Sequence, residues 1–214
     1  MITIVDYDTG NLRSVQNMLR SIGVDSQFAR TARELESASR IILPGVGQFA
    51  YGMRRLMERD FIGVLRDKVL GQGTPVLGIC LGAQLLTRRS DEGDVDGLGW
   101  IAADTRHFDT ALLPKGTRIP HMGWTDTDYC PAHPIFDGVM DTPRYYYVHS
   151  YHMVCDNPSD ELCHAFHGYR FTSGIARENI VGVQFHPEKS HRFGKLLLAN
   201  FAKWSPEGNP NEGS

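Results

Sequence analysis

The stretch PVLGICLGAQ, residues 75–84, indicates how the chain folds and where its chemistry lies. Its first half, up to Ile79, is an apolar run typical of a buried strand, and helical character begins after Cys80. Glycines two positions before and after the cysteine permit the sharp turn that lifts a side chain out of a sheet. Such a turn aims the Leu81 N–H and the start of a helix at the sulfur, which favours the nucleophilic thiolate. A buried structural cysteine in a tight turn would show the same pattern, so other segments have to decide between the two.

A second apolar run, VGVQFHPEKS at residues 181–190, ends in a histidine, a proline and a glutamate. Residues two apart in an extended chain point to the same side, so Glu188 can lie beside the His186 ring. Pro187 cannot donate a ladder hydrogen bond, and we expect the strand to end there. A carboxylate beside an imidazole orients the ring and stabilises its protonated form. With a cysteine elbow in the same chain, these residues predict a catalytic triad of Cys80, His186 and Glu188.

A third segment, IILPGVG at residues 41–47, is a buried-type strand that runs into a loop with a proline and two glycines. Backbone N–H groups in such a loop can turn toward a developing oxyanion, which needs preorganised donors. Gly45, Val46 and Gly47 are therefore candidates to bind an oxyanion together with the Leu81 N–H. Taken alone, any strand-to-loop turn could have this sequence.

Strand and helix patterns alternate along the first half of the chain. Strands are expected at 2–7, 24–29, 40–43 and 76–79, with helices between them and one helix from Cys80 to about Arg89. This order predicts an α/β fold with a mostly parallel central sheet and helices on both faces. Ligands bind outside the carboxyl ends of such strands, where Cys80 and the 45–47 loop both fall.

The second half of the chain changes character. From Trp100 to Val183 short strands and turns prevail, which we interpret as an antiparallel extension of the sheet. A final amphipathic helix is expected from Arg192 to Trp204. Residues 205–214 hold only proline, glycine and polar residues, so we predict a disordered tail after a single domain of residues 1–204.

Composition excludes several function classes. The 214 residues carry 22 basic and 25 acidic side chains, a net charge of −3, which favours neither nucleic acid nor an acidic membrane surface as a partner. No stretch is long enough to span a membrane, and the N-terminus has a strand pattern rather than a signal peptide. The four cysteines (80, 130, 155 and 163) lack Cys-x-x-Cys spacing, so we expect reduced thiols in the cytoplasm. The close histidine pairs 149/152 and 164/167 lie in strand patterns, and no metal site is predicted.

Together, the Pro-Gly loop, the cysteine elbow and His-Pro-Glu, in this order, resemble the class I glutamine amidotransferases. The sequence PGVG at 44–47, in place of the usual Pro-Gly-Gly, is similar to one branch, the glutaminase subunits of imidazole glycerol phosphate synthases. Further segments match that branch: GMRRL at 52–56, PHMGW at 120–124 and YYVHSY at 146–151. The resemblance covers roughly residues 2–204 and implies a flavodoxin-like amidotransferase fold.

This resemblance implies an activity, a substrate and a partner. The activity is hydrolysis of L-glutamine to glutamate and ammonia, without a cofactor, and Gly47, Gln84, Ser150 and Tyr151 would help to hold the glutamine. Ordinary strand packing would also account for Ser150 and Tyr151. The partner would be a (β/α)-barrel cyclase that consumes the ammonia in a heterodimer, with Pro120, Met122, Trp124 and Lys189 at the interface. The overall products would be imidazole glycerol phosphate and an aminoimidazole carboxamide ribonucleotide, in histidine biosynthesis.

Two positions depart from the pattern of the branch. Ala83 replaces a usual methionine, and Thr125 replaces a usual asparagine. Thr125 and the tail leave open a paralogous glutaminase subunit that supplies ammonia to another synthase, such as one amidinating a cell-surface sugar. A non-catalytic scaffold or regulatory subunit is a further alternative, but a scaffold needs no triad.

Overall fold

The computed structural model describes residues 1–206, and the first half of the chain alternates strands and helices as its apolar pattern predicts. The predicted tail lies, apart from Ser205 and Pro206, outside the described residues. The elements of the first half are β1 (Ile2–Val5), α1 (Leu12–Ser21), β2 (Ser26–Ala29), α2 (Ala32–Glu36), β3 (Ile41–Gly45), α3 (Phe49–Glu58), α4 (Phe61–Arg66), β4 (Val76–Cys80) and α5 (Leu81–Leu85). A π-helical turn, Asp67–Gly71, extends α4.

The second half is built mainly of strands, as expected for an extension of the sheet. Its elements are β5 (Arg89–Ser90), β6 (Val95–Asp96), β7 (Ala103–His107), β8 (His121–Tyr129), β9 (Arg144–His149), β10 (Tyr151–Cys155), β11 (Glu161–His167), β12 (Tyr169–Arg177), β13 (Ile180–Val183) and α6 (His191–Lys203). Between them lie short 3₁₀ turns, one of which spans Pro187–Lys189.

The central part of the sheet is parallel, in the order β2-β1-β3-β4-β13. β12, β10 and β7 then continue it with antiparallel pairing, and β11, β8 and β9 branch from β12. The fold class predicted from the sequence is therefore confirmed. Because β3, β4 and β13 are neighbours, the chain segments that follow them meet at one edge, where the predicted triad and loop residues come together.

Two apolar layers enclose the parallel strands. Alternate residues point to opposite faces, so Ile42 packs with α1 and α6, whereas Ile41 and Leu43 pack with α2 to α5. Helices thus cover both faces of the sheet, and the strands in the middle are buried along their whole length.

The helix after Cys80 is shorter than predicted, and the expectation that it runs to Arg89 is wrong. α5 ends at Leu85 because the next carbonyls are engaged by a returning loop. The N–H groups of Leu98, Trp100 and Gly99 donate to the carbonyls of Leu85, Leu86 and Thr87. Arg89 then enters β5, beside β7.

Within residues 1–206, the helices fall short of the length and apolar character that crossing a membrane requires.

Candidate active site

Cys80 occupies a strained turn between β4 and α5. Its φ of 54° lies in the left-handed region, which residues other than glycine rarely adopt. The two flanking glycines make the turn possible by close packing. A Cβ on Gly78 would lie 2.8 Å from the Ala83 backbone nitrogen, and one on Gly82 would collide with the Leu43 carbonyl. The turn therefore presents the Cys80 sulfur at the start of α5.

His186 and Glu188 form a buried pair beside this cysteine. The His186 Nδ1 lies 2.8 Å from a Glu188 carboxylate oxygen, and the side chains are 1% and 3% exposed. The pair does not sit in an extended chain as the sequence suggested, because Pro187 starts a 3₁₀ turn that brings Glu188 back to the ring. The His186 Nε2 is bonded to no oxygen or nitrogen within residues 1–206, which leaves it to exchange a proton with the Cys80 thiol or the substrate.

The charge state of His186 follows from its neighbours. Burial opposes protonation, but the Cys80 sulfur and the Glu188 carboxylate more than offset it and raise the pKa of His186 to about 9. A protonated imidazole at neutral pH stabilises negative charge on the sulfur and can donate a proton to a leaving group.

The triad opens into a cavity of about 260 Å³. Ligand pockets typically hold roughly 300–1,000 Å³, so this one suits a small metabolite. It brings together most of the residues predicted from the sequence: Val46, Gly47, Cys80, Leu81, Gln84, Ser150, Tyr151 and His186 all line it. Val148, His149 and Glu92 also line it and were not predicted.

The loop after β3 faces the same cavity. Gly45 is paired with Cys80 in the sheet, and a Cβ there would lie 2.5 Å from the Tyr7 hydroxyl, so only glycine fits without a shift. Val46 is 43% exposed and keeps a negative φ, whereas Gly47 has a φ of 102°. The positive φ therefore falls on glycine, and the β-branched residue avoids it.

Gln184 is a site residue that the sequence analysis missed. It is fully buried at the end of β13, and its amide nitrogen lies 3.7 Å from the Cys80 sulfur. Its amide oxygen accepts a hydrogen bond from Gln84 at 3.0 Å. A glutamine two residues before His186 was the available signal, since it points to the same side of the strand as the histidine.

The residues predicted at a partner interface lie outside the cavity, on one surface. Met122 and Trp124 point outward from β8 and are 62% and 45% exposed. Trp124 stacks on His191 with ring centroids 5.1 Å apart, and the Lys189 ammonium lies over the Tyr146 ring. Pro120 is exposed immediately before β8. We call Met122, Trp124 and Lys189 with their ring neighbours the Trp124 surface.

Comparison with known proteins agrees with this geometry. The family model for glutamine amidotransferase class-I matches residues 3–204. The chain belongs to the class I glutamine amidotransferases. Among curated relatives of this amidotransferase, the imidazole glycerol phosphate synthase subunit HisH 2 of Pseudomonas aeruginosa is 42% identical, over 95% of this chain and 99% of that one. The subunit HisH of Bdellovibrio bacteriovorus is 43% identical, over 95% and 100%.

These relatives confirm the branch that the PGVG loop indicated, so the amidotransferase is a member of the imidazole glycerol phosphate synthase subunit family. Solved structures confirm the fold. A structure described as a glutamine amidotransferase superimposes with a TM-score of 0.73 at 16% identity, over 94% of this chain and 97% of that one. The structure of PurLQS from Thermotoga maritima superimposes with a TM-score of 0.71 at 17% identity, over 94% of this chain and 97% of that one.

Beside the cavity the amidotransferase buries two neutral histidines, His121 and His149. The His121 ring stacks on Tyr147 and His167, and its Nδ1 lies 3.0 Å from Nε2 of His149. Burial, with a smaller contribution from His167, lowers the pKa of His121 to about 4. Burial also holds the pKa of His149 well below its usual value.

This group predicts a loss of stability in mild acid. An unfolded histidine has a pKa of about 6.5, so between that value and about 4 the unfolded chain binds a proton at His121 that the folded chain does not. The contribution of neutral His121 to the free energy of unfolding is therefore fully present above pH 6.5, and it is lost as the pH drops toward 4. Urea unfolding at pH 7 and pH 5 should show a smaller loss for His121→Phe than for the wild type. Equal losses would contradict the assignment.

Proposed function

We propose that this chain hydrolyses L-glutamine to glutamate and ammonia through a Cys80–His186–Glu188 triad. One observation carries the proposal: Cys80, at a strained strand-to-helix elbow, and His186 line the same cavity. The Nδ1 of His186 is held by the buried Glu188 carboxylate. This is the arrangement of an activated nucleophile, a base and an orienting group. The catalytic unit is a single domain of residues 1–204.

The reaction proceeds in two steps. The Cys80 sulfur attacks the side-chain carboxamide carbon, and His186 holds the thiol proton and delivers it to the departing ammonia. Water, deprotonated by His186, then attacks the resulting thioester and releases glutamate and the free thiol. The oxyanion of each step is bound by the Leu81 N–H and by backbone N–H groups of Gly45, Val46 and Gly47. No metal or organic cofactor takes part.

Glutamine binding uses the other residues that line the cavity. Gly47, Gln84, Ser150 and Tyr151 line it near the elbow. Glu92 adds a carboxylate that suits the α-ammonium group of glutamine. The Gln84 amide is already bound to the Tyr151 carbonyl at 3.2 Å and to Gln184, so it shapes the wall rather than contacting substrate through its nitrogen.

We further propose that the ammonia passes to a cyclase subunit with a (β/α)-barrel fold, in a heterodimer. The Trp124 surface supports this, because an exposed tryptophan and methionine form the kind of patch that protein partners cover. The cyclase would make imidazole glycerol phosphate and an aminoimidazole carboxamide ribonucleotide for histidine biosynthesis. We expect the enzyme to work in the cytoplasm, where its thiol stays reduced.

The triad can be tested by comparing its two supporting residues. His186→Ala should reduce glutamine turnover more than Glu188→Gln, because the first removes the proton carrier and the second only its orienting charge. We expect kcat to fall roughly 1,000-fold or more in His186→Ala and about 10- to 100-fold in Glu188→Gln. Glutamate release by the purified variants measures this. Glu161→Gln, in a second histidine–glutamate pair of the fold, outside the cavity, is the matched control. Equal or reversed losses would refute the division of roles.

A paralogous subunit feeding another synthase is the second candidate. Two observations favour this candidate. Thr125 departs from the branch pattern, and two relatives are named HisH 2. Adding the imidazole-forming cyclase and its acceptor substrate to this chain distinguishes the two. Glutamine-dependent imidazole glycerol phosphate formation supports the first function. No complex with that cyclase and no product would support the second.

A further inference from the structure

We propose that Thr125, His121 and His149 form a hydrogen-bond relay that positions Cys80 from beneath the Trp124 surface. The relay would act through the Tyr151 carbonyl, Gln84 and Gln184. The residues in question come from β8, β9, β10, α5 and the end of β13, so the relay joins five parts of the fold at the nucleophile.

The contacts form an unbroken path of seven residues. Thr125 Oγ1 lies 2.9 Å from His121 Nε2, and His121 Nδ1 lies 3.0 Å from His149 Nε2. His149 Nδ1 lies 2.7 Å from the Tyr151 carbonyl oxygen, which also accepts from the Gln84 amide at 3.2 Å. The remaining contacts run from Gln84 to Gln184 at 3.0 Å and from Gln184 to the Cys80 sulfur at 3.7 Å.

The chemistry of these groups fixes the donor of each contact, and the Tyr151 carbonyl accepts from both sides, from His149 and from Gln84. A carbonyl oxygen accepts only, so the His149 proton must be on Nδ1, and the Nε2 of this neutral ring must accept. His121 must then donate from Nδ1 and accept at Nε2, which leaves the Thr125 hydroxyl as the donor. Both amide hydrogens of Gln84 are used, and Gln184 is left with its own amide hydrogens to donate to sulfur. Under this assignment every contact on the path pairs one donor with one acceptor.

Burial makes each contact of the relay costly to break. His121, His149, Gln84 and Gln184 are each between 0% and 6% exposed, so a broken link would leave an unpaired polar group without water to replace it. A hydrogen bond from Gln184 also stabilises negative charge on the Cys80 sulfur. The relay therefore bears on the reactivity of the nucleophile as well as on its position.

The relay begins directly beneath the proposed docking surface. In β8 the side chains alternate, so His121 and Thr125 point inward while Met122 and Trp124 point outward. Thr125 is adjacent in sequence to Trp124 and is the outermost donor of the path. It is thus a positioning residue for Cys80 that touches neither the substrate nor the sulfur.

Thr125→Val tests the relay, because valine keeps the shape of threonine and removes the donor. Thr125→Ser restores the hydroxyl. Thr127→Val is the matched control, since Thr127 lies on the same face of β8 and its buried hydroxyl bonds to Tyr147, outside the relay. We expect Thr125→Val to lower kcat for glutamine about three- to tenfold with KM changed less than about twofold, the effect of one lost hydrogen bond. Thr125→Ser and Thr127→Val should stay within about twofold of wild type.

A second readout does not depend on glutaminase activity, on which the kcat test rests. Iodoacetamide alkylation of Cys80, followed by peptide mapping, should slow in Thr125→Val by about threefold and recover in Thr125→Ser. Nitrogen-15 spectra of the wild-type chain should show His121 and His149 both carrying hydrogen on Nδ1.

The outcomes separate the relay from the proposed function. Slower alkylation with serine rescue supports the relay even if glutamine is not hydrolysed, in which case only the function fails. The relay would be overturned if Thr125→Val kept the wild-type rate, if only its KM changed, or if the valine and serine variants lost equal activity. Hydrogen on Nε2 of either histidine would also overturn it.

Discussion

Cys80→Ala is expected to lower glutamine hydrolysis by about 10,000-fold or more, because alanine cannot form the thioester on which both steps depend. The substitution removes one atom from a cavity wall, and the elbow around it is fixed by the packing of Gly78 and Gly82. The fold and the Trp124 surface should therefore be unaffected. Glutamate release by the purified complex is the measurement.

Two controls make this result specific. Cys130→Ala changes an exposed cysteine and should leave turnover at the wild-type level. With ammonium salts in place of glutamine, the Cys80→Ala complex should still support the reaction of the cyclase, because the two chemistries occupy different subunits. Undiminished glutaminase activity in Cys80→Ala would disprove the role of the elbow.

The isolated chain is expected to hydrolyse glutamine about 100- to 1,000-fold more slowly than the complex with acceptor bound, the cost of one missing oxyanion donor. The reason lies in the loop after β3. Val46 resists a positive φ, and in the structure the positive φ is carried by Gly47. We infer that in the free chain one loop peptide faces away from the oxyanion. Partner binding would turn it, as a population shift between two loop states.

Steady-state glutamate release by the chain alone, by the complex, and by the complex with an acceptor analogue measures this activation. Val46→Gly is the informative variant, because glycine tolerates either peptide orientation and should raise the rate of the isolated chain. An isolated chain that already runs at the rate of the liganded complex would show that the switch does not exist and that the partner only captures ammonia.

Local sequence was sufficient to predict the framework and most of the residues that line the cavity. The strand–helix alternation before Cys80 has a short-range cause, since β1, β3 and β4 are buried along their whole length and α1 and α3 bury one face. The elbow and the His186–Glu188 pair are also local, because each is set by residues within two positions in the chain. Their meeting follows from topology, since β4 and β13 are parallel neighbours.

Features that depend on pairing between distant segments were not predicted. The relay requires His121 to lie opposite His149, a register between β8 and β9 that no short stretch specifies. The end of α5 at Leu85 depends on a loop that returns from residue 97 onward to bind its carbonyls. Gln184 was overlooked for a different reason: its position in an apolar run suggested packing, and its contacts with Gln84 and Cys80 appear only in three dimensions.

The most direct test of the triad is covalent labelling with a diazoketone analogue of glutamine, which a nucleophile in a glutamine site attacks in place of the substrate. Mass spectrometry of the labelled complex is predicted to find one label per chain, on Cys80, with glutamine slowing its formation and His186→Ala preventing it. Label on Cys130, Cys155 or Cys163, or no label that glutamine suppresses, would contradict the assignment of Cys80 as the nucleophile of a glutaminase.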